Sequence, residues 1–126
     1  AGNMSRKAVY IRHELGLLYL ALRLSARGWE TIYLGADIPL QGLLEAMAQV
    51  EPGIMALSLT RLEGRDETIA RVERLCRAAG QTRVLVGGAA ARSWREALVA
   101  AGADVIIGDD DLNTLIRAIR RRSPAA

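Results

Sequence analysis

Short apolar runs alternate along this chain with stretches whose apolar residues recur every three or four positions. Ala8, Val9, Tyr10 and Ile11 predict a first short strand. Residues 15–26 predict a leucine-rich helix, closed by Gly28 at the position where a left-handed cap is easiest for glycine. Residues 31–34, rich in β-branched and aromatic side chains, predict a second strand. A loop follows at 35–39, with Pro39 suited to the first turn of a helix over 40–50 that Pro52 and Gly53 break. The run 54–59 is apolar throughout, the mark of a strand buried on both faces. Residues 66–79 predict a helix with a charged outer face, ended by Gly80, and residues 83–86 a strand running into Gly87 and Gly88. A helix over 93–101 ends at Gly102, and 104–107 predict a last strand. Asp109 to Asp111 then open a final helix, with negative charge where the helix dipole favours it.

Strict alternation of five strands with helices implies an α/β fold: a five-stranded, parallel, doubly wound Rossmann- or flavodoxin-like sheet with helices on both faces. Ligands in such sheets bind beyond the carboxyl ends of the strands. The residues to inspect are therefore Arg12 and His13, Gly35 to Asp37, Ser58 to Thr60, Gly87 to Ala89, and Gly108 to Asp110.

Composition narrows the chemistry. The 126 residues suit one domain, and 51% hydrophobic with 25% charged residues excludes global disorder. His13 and Cys76 are the only histidine and cysteine, so a zinc site of the usual kind is excluded, as is an internal disulfide, which fits a reducing cytoplasmic compartment. No apolar stretch is long enough to span a membrane, and no signal peptide opens the chain. The formal charge of +3 is concentrated at the end, in Arg117, Arg120, Arg121 and Arg122, which reads as a solvated last helical turn more readily than as a nucleic-acid patch. No Walker loop and no Gly-x-Gly-x-x-Gly follows the first strand. A Ser58–His13 hydrolase lacks a nucleophile elbow. A response-regulator phosphoacceptor site lacks its acid cluster and its late lysine, because Lys7 is the only lysine. Cys76 reads as a small filler on a helix, and Trp29 and Trp94 as capping contacts or surface anchors. The leucines between Leu15 and Leu24 read as a helix buried against the sheet.

The rim residues also form a pattern: His13-x-x-Gly16, then Ser58-x-Thr60, then Gly87-Gly88. Ser58 lies 45 positions after His13, and Gly87 lies 29 after Ser58. This resembles the signature of the cobalamin-binding domain family, which includes methionine synthase, corrinoid mutases, methyl carriers and light-sensing MerR-type transcription regulators. The resemblance covers residues 12–120. Arg12 to Gly16 and Tyr33 to Leu40 are most similar to the light-sensing regulators. It implies that cobalamin binds with its own base displaced from cobalt and threaded into a slot beside the sheet. His13 would then be the lower cobalt ligand, a position that neutral imidazole suits. Gly16 would let a helix lie close to the nucleotide tail. Ser58 would hydrogen-bond the displaced base, with Thr60 on the same wall. Gly87, Gly88 and Ala89, with Ala90 and Ala91, would leave room beside the ring.

The chain departs from the family pattern in three places. Ile11 stands where the family usually has an acid two residues before the histidine, and such an acid would orient the imidazole. The apolar run 8–11 abuts Arg12 and His13 directly, so either the loop after the first strand is rebuilt, or 8–11 is part of that loop and the true first strand is shortened or cut away. The DNA-binding and helical capping domains of the regulators are absent from these residues. Residues 1–7 are expected to be a tag scar or cut boundary, 8–122 the domain and 123–126 a disordered tail.

Three functions stay open. The first is a non-enzymatic cobalamin-binding sensory module of a transcription regulator, carrying adenosylcobalamin or methylcobalamin. It would self-associate or meet another protein domain, and it would reach DNA only through a domain outside this chain. The second is a corrinoid carrier of a methyltransferase or mutase. The third is a degenerate relative that binds another tetrapyrrole such as haem, or only a protein partner.

Overall fold

The computed structural model describes residues 6–11, 24–26, 28–35, 38–107, 113–115 and 117. The apolar runs form five parallel strands: β1 (Lys7–Ile11), β2 (Glu30–Gly35), β3 (Ile54–Ser58), β4 (Arg83–Gly87) and β5 (Asp104–Val105). They lie side by side in the order β2-β1-β3-β4-β5. The helices between them are α1 (Leu40–Val50), α2 (Arg65–Ala78), α3 (Ala89–Ser93) and α4 (Arg95–Ala101). Residues 24–26 and 113–115 are also helical.

Burial of β3 on both faces follows from its run of four apolar residues before Ser58. Ile54, Met55, Ala56 and Leu57 are all buried, and their side chains alternate between two separate cores. Met55 and Leu57 join Val9, Val84 and Val86 under Leu43 and Met47 of α1, Val72 and Leu75 of α2, and Leu98 of α4. Ile54 and Ala56 join Ala8 and Leu85 on the opposite face, with Leu24, Trp29 and Leu115. Burying each large aliphatic side chain stabilises the fold by about 1.5–3 kcal/mol.

The run 8–11 is thus a true strand and not loop. It opens at Lys7, sits between β2 and β3, and pairs Ile11 with Leu57. Three expectations are corrected. β3 ends at Ser58: the Leu59 N–H still makes the last ladder bond, to the carbonyl of Gly87 at 2.8 Å, but the Leu59 carbonyl accepts from the Ala90 N–H of the next helix at 2.9 Å and not from a continued strand. The helix expected over 93–101 is two helices that meet at Trp94, which leaves helical geometry (φ −108°, ψ 20°) with its side chain buried. Trp94 donates to the Ala90 carbonyl, ending α3, and accepts from Leu98, starting α4. Trp94 and Trp29 thus make the expected capping contacts at helix ends, with side chains buried in the core and not presented as surface anchors. The last strand has only two residues, although Ile106 still donates to the Val86 carbonyl at 2.9 Å.

Short β5 has a second attachment. Arg83 on β4 grips Asp104 on β5 with two parallel hydrogen bonds, Nε to Oδ2 at 3.1 Å and Nη2 to Oδ1 at 3.2 Å. The predicted cap at Gly28 is present, with φ +86° and hydrogen bonds from Gly28 and Trp29 back to Ser25 and Leu24.

Candidate ligand-binding rim

Strand order reverses direction between β1 and β3: the chain winds from β1 outward to β2, then returns to β3 on the other side. A crevice opens above such a switch point at the carboxyl ends of the strands. Those ends carry Ile11 on β1 and Ser58 on β3, and the predicted pair Gly87-Gly88 ends β4 beside them.

Ser58 and Gly87 are register partners across β3 and β4. Ser58 keeps the alternation of Ile54 and Ala56, and Gly87 that of Leu85, so both belong to the face that holds Ala8, Leu24 and Leu115. The Ser58 hydroxyl is out of contact with solvent and has no hydrogen-bond partner; among the described residues, only Arg83 Nη1 shares that condition. A buried hydroxyl without a partner costs free energy, and native proteins satisfy nearly all such groups. Next to it, Gly87 leaves space. Among the described residues, a Cβ there would meet only the Ile106 carbonyl, at an ordinary 3.5 Å.

Two of the three predicted motifs are therefore brought together. Thr60 follows on the same loop, half-buried. Gly88 is solvent-exposed with φ +101°, and Ala89 is exposed as the first residue of α3. Ala90 and Ala91 are fully buried in the core on the Leu57 side, so their small size serves helix packing and not a wall beside Ser58. The third motif, His13 and Gly16, lies outside the described residues, as do residues 15–23 of the leucine-rich stretch and Arg120 to Arg122.

Two clefts mark the sides of the sheet away from this face. One of about 350 Å³ opens between α1, α2 and the loop after β3, and touches Ser58 and Thr60, but its floor is Leu57, Val72 and Leu75. It lies on the opposite face from the Ser58 hydroxyl. A larger one, about 690 Å³, opens at the amino ends of β3 and β4 near Pro52 and Thr82, and carries none of the predicted residues. Cys76 is remote from the rim. Burial raises its thiol pKa, and the negative charges of Asp104 and Glu73 add to the rise, which keeps it protonated and unreactive at neutral pH. No cluster of three metal-ligating side chains occurs among the described residues, and no described helix is long and apolar enough to cross a membrane.

Solved structures share this architecture across different chemistries. A cobalamin-binding protein from Desulfitobacterium hafniense matches 90% of this chain and 57% of its own, with a TM-score of 0.68 at 21% identity. The isolated REC domain of RcsB from Salmonella enterica matches 94% of this chain and 89% of its own, with a TM-score of 0.65 at 13% identity. At such identities, the likeness establishes the flavodoxin-like fold and leaves function to the sites. The sequence decides between them: the B12 binding domain profile matches residues 4–117. The chain belongs to the B12-binding domain family. Within that family it is similar to two curated repressors of Myxococcus xanthus. The HTH-type transcriptional repressor CarA is 35% identical over 108 residues, which are 86% of this chain and 38% of that protein. The HTH-type transcriptional repressor CarH is 33% identical over 104 residues, 82% of this chain and 35% of that protein. The chain spans little more than a third of the length of the relatives it matches.

Proposed function

We propose that this B12-binding domain is the cobalamin-binding sensory module of a transcription regulator. The carrying observation is the Ser58 hydroxyl, buried without a partner beside the space left by Gly87. A nitrogenous base entering that face would satisfy the hydroxyl, which can donate or accept. In this reading, Ser58 and Thr60 hold the displaced base of the nucleotide tail, and Gly87 makes room for it. Gly16 lets the tail pass, and His13 is the lower cobalt ligand, two residues beyond the end of β1. Cobalamin, as the adenosyl or methyl form, supplies a breakable upper cobalt–carbon bond, and light acting on that bond is the proposed signal. Contact with DNA belongs to a segment outside these residues, as expected of a regulator working in the cytoplasm and of a chain spanning part of its repressor relatives.

The test is a titration with hydroxocobalamin and adenosylcobalamin in the dark, followed by visible spectroscopy. The expected result is a spectrum of base-off cobalamin with histidine on cobalt, and its loss in His13→Ala. No spectral change at sub-millimolar cobalamin would overturn the reading. One observation favours a second outcome. β1 carries Ile11 within two residues of His13, where an orienting carboxylate would stand. A domain that has given up cobalt ligation would show no histidine-on spectrum, and a parallel titration with haem then separates a different tetrapyrrole from a pure protein-interaction role.

A further inference from the structure

The paired glycines that end β4 face different neighbours. Gly87 is buried, but among the described residues a Cβ built on it meets only one atom within van der Waals range, the Ile106 carbonyl oxygen at 3.5 Å. Gly88 is exposed to solvent, yet a Cβ built on it would run into the backbone of Leu59, 2.5 Å from its oxygen, 3.0 Å from its carbonyl carbon and 3.1 Å from its nitrogen. Its backbone angles, φ 101° and ψ 173°, are in a region open essentially to glycine alone. The Leu59 peptide is held on both sides of that contact. Its N–H donates to the Gly87 carbonyl at 2.8 Å, and its carbonyl accepts from the Ala90 N–H at 2.9 Å. Leu59 directly follows Ser58 and precedes Thr60.

We infer that the two glycines have separate roles: Gly87 leaves space for the ligand, whereas Gly88 is a positioning residue that seats the Leu59 peptide and, through it, the Ser58 hydroxyl. A side chain at Gly88 would push Leu59 off both hydrogen bonds, and the register of Ser58 against Gly87 would shift with it. The ligand-facing half of this inference rests on the cobalamin reading above; the clasp itself belongs to the free protein.

The test therefore has a readout in each. In the wild-type free protein, the Leu59 amide, which makes the last ladder bond, and the Ala90 amide, which lies outside the sheet, should both exchange with deuterium as slowly as those of Val84 to Val86. Exchange as fast as at Arg61 and Leu62 would overturn the clasp without any variant. In Gly88→Ala, exchange at Leu59 and Ala90 should rise while that of β1 stays unchanged; wild-type rates there would overturn it as well. Hydroxocobalamin titrations of Ser58→Ala, Gly88→Ala and the double variant then test the route. Each single change should weaken binding roughly tenfold, the scale of one lost hydrogen bond, and the double variant little more than either. Multiplied effects would show that Gly88 acts on the ligand by itself and would overturn its positioning role. If the wild type binds no cobalamin, the reading of the site fails and Gly88's part in ligand binding falls with it, while the exchange rates still decide the clasp.

Discussion

At the scale of single residues, the site shows itself by what it lacks. Ser58 is half-buried, but its oxygen has no partner among the described residues and no access to water. A hydroxyl kept in that state costs roughly 1–3 kcal/mol, so in the free protein it is a liability. Ser58→Ala should therefore raise the urea midpoint, by up to about 1 kcal/mol of stability after loss of a small packing contribution, while it weakens cobalamin binding. A drop in stability would mean that the hydroxyl is satisfied and not waiting for a ligand. The family resemblance singles out this residue and Gly87 in the sequence, and the strand register places the two side by side, which is as much of the proposed site as both levels share. The role of Gly88 was not legible. The sequence shows a glycine, but only the folded chain shows that the missing Cβ would strike Leu59.

At the scale of elements, the strands were readable and their ends were not. Continuous apolar runs predicted all five strands, since a sheet covered on both faces needs no polar alternation. The limits were set by hydrogen bonds between elements: the Leu59 carbonyl accepts from Ala90 in place of a further ladder bond, and Trp94 serves two helices at once. The two-residue β5 is the clearest case. Its ladder with β4 has only two register pairs, Leu85 with Asp104 and Val86 with Val105, so the Arg83–Asp104 pair is a large part of what holds it. Arg83 is 17% exposed and Asp104 33%, which places the pair between the surface case, worth up to about 1 kcal/mol, and a buried one, whose breakage costs about 3–5 kcal/mol. Asp104→Ala leaves the Arg83 guanidinium, whose Nη1 already lacks a partner, without its anchor. The expected loss is about 2 kcal/mol by urea unfolding, larger than for Arg83→Met, which removes the charge and keeps the stem. Equal losses would assign the effect to the ion pair alone and not to a stranded cation.

At the scale of the whole molecule, the same sheet supports a cobalamin-binding protein and response-regulator domains with TM-scores between 0.58 and 0.68, so shape does not choose the ligand. The choice rests on which groups stand at the carboxyl ends of β1, β3 and β4. If the face carrying Ser58 and Gly87 takes the nucleotide tail, then affinity should reside in the tail and not in the corrin ring alone. Hydroxocobalamin at about a hundred times its Kd should stabilise the chain by roughly 2.7 kcal/mol, and Tm should rise by about 10 °C. Cobinamide, which keeps the ring and lacks the nucleotide, should give a much smaller rise at the same concentration. Gly87→Ala provides the internal control. Among the described residues its Cβ would meet only the Ile106 carbonyl, at 3.5 Å, so the apo Tm should change little, but the added methyl would stand in the space beside Ser58. The preference for cobalamin over cobinamide should then disappear while the weak response to cobinamide persists. Equal Tm rises with both corrinoids in the wild type would place the binding energy above the strands, and would remove the Ser58 face from the ligand site.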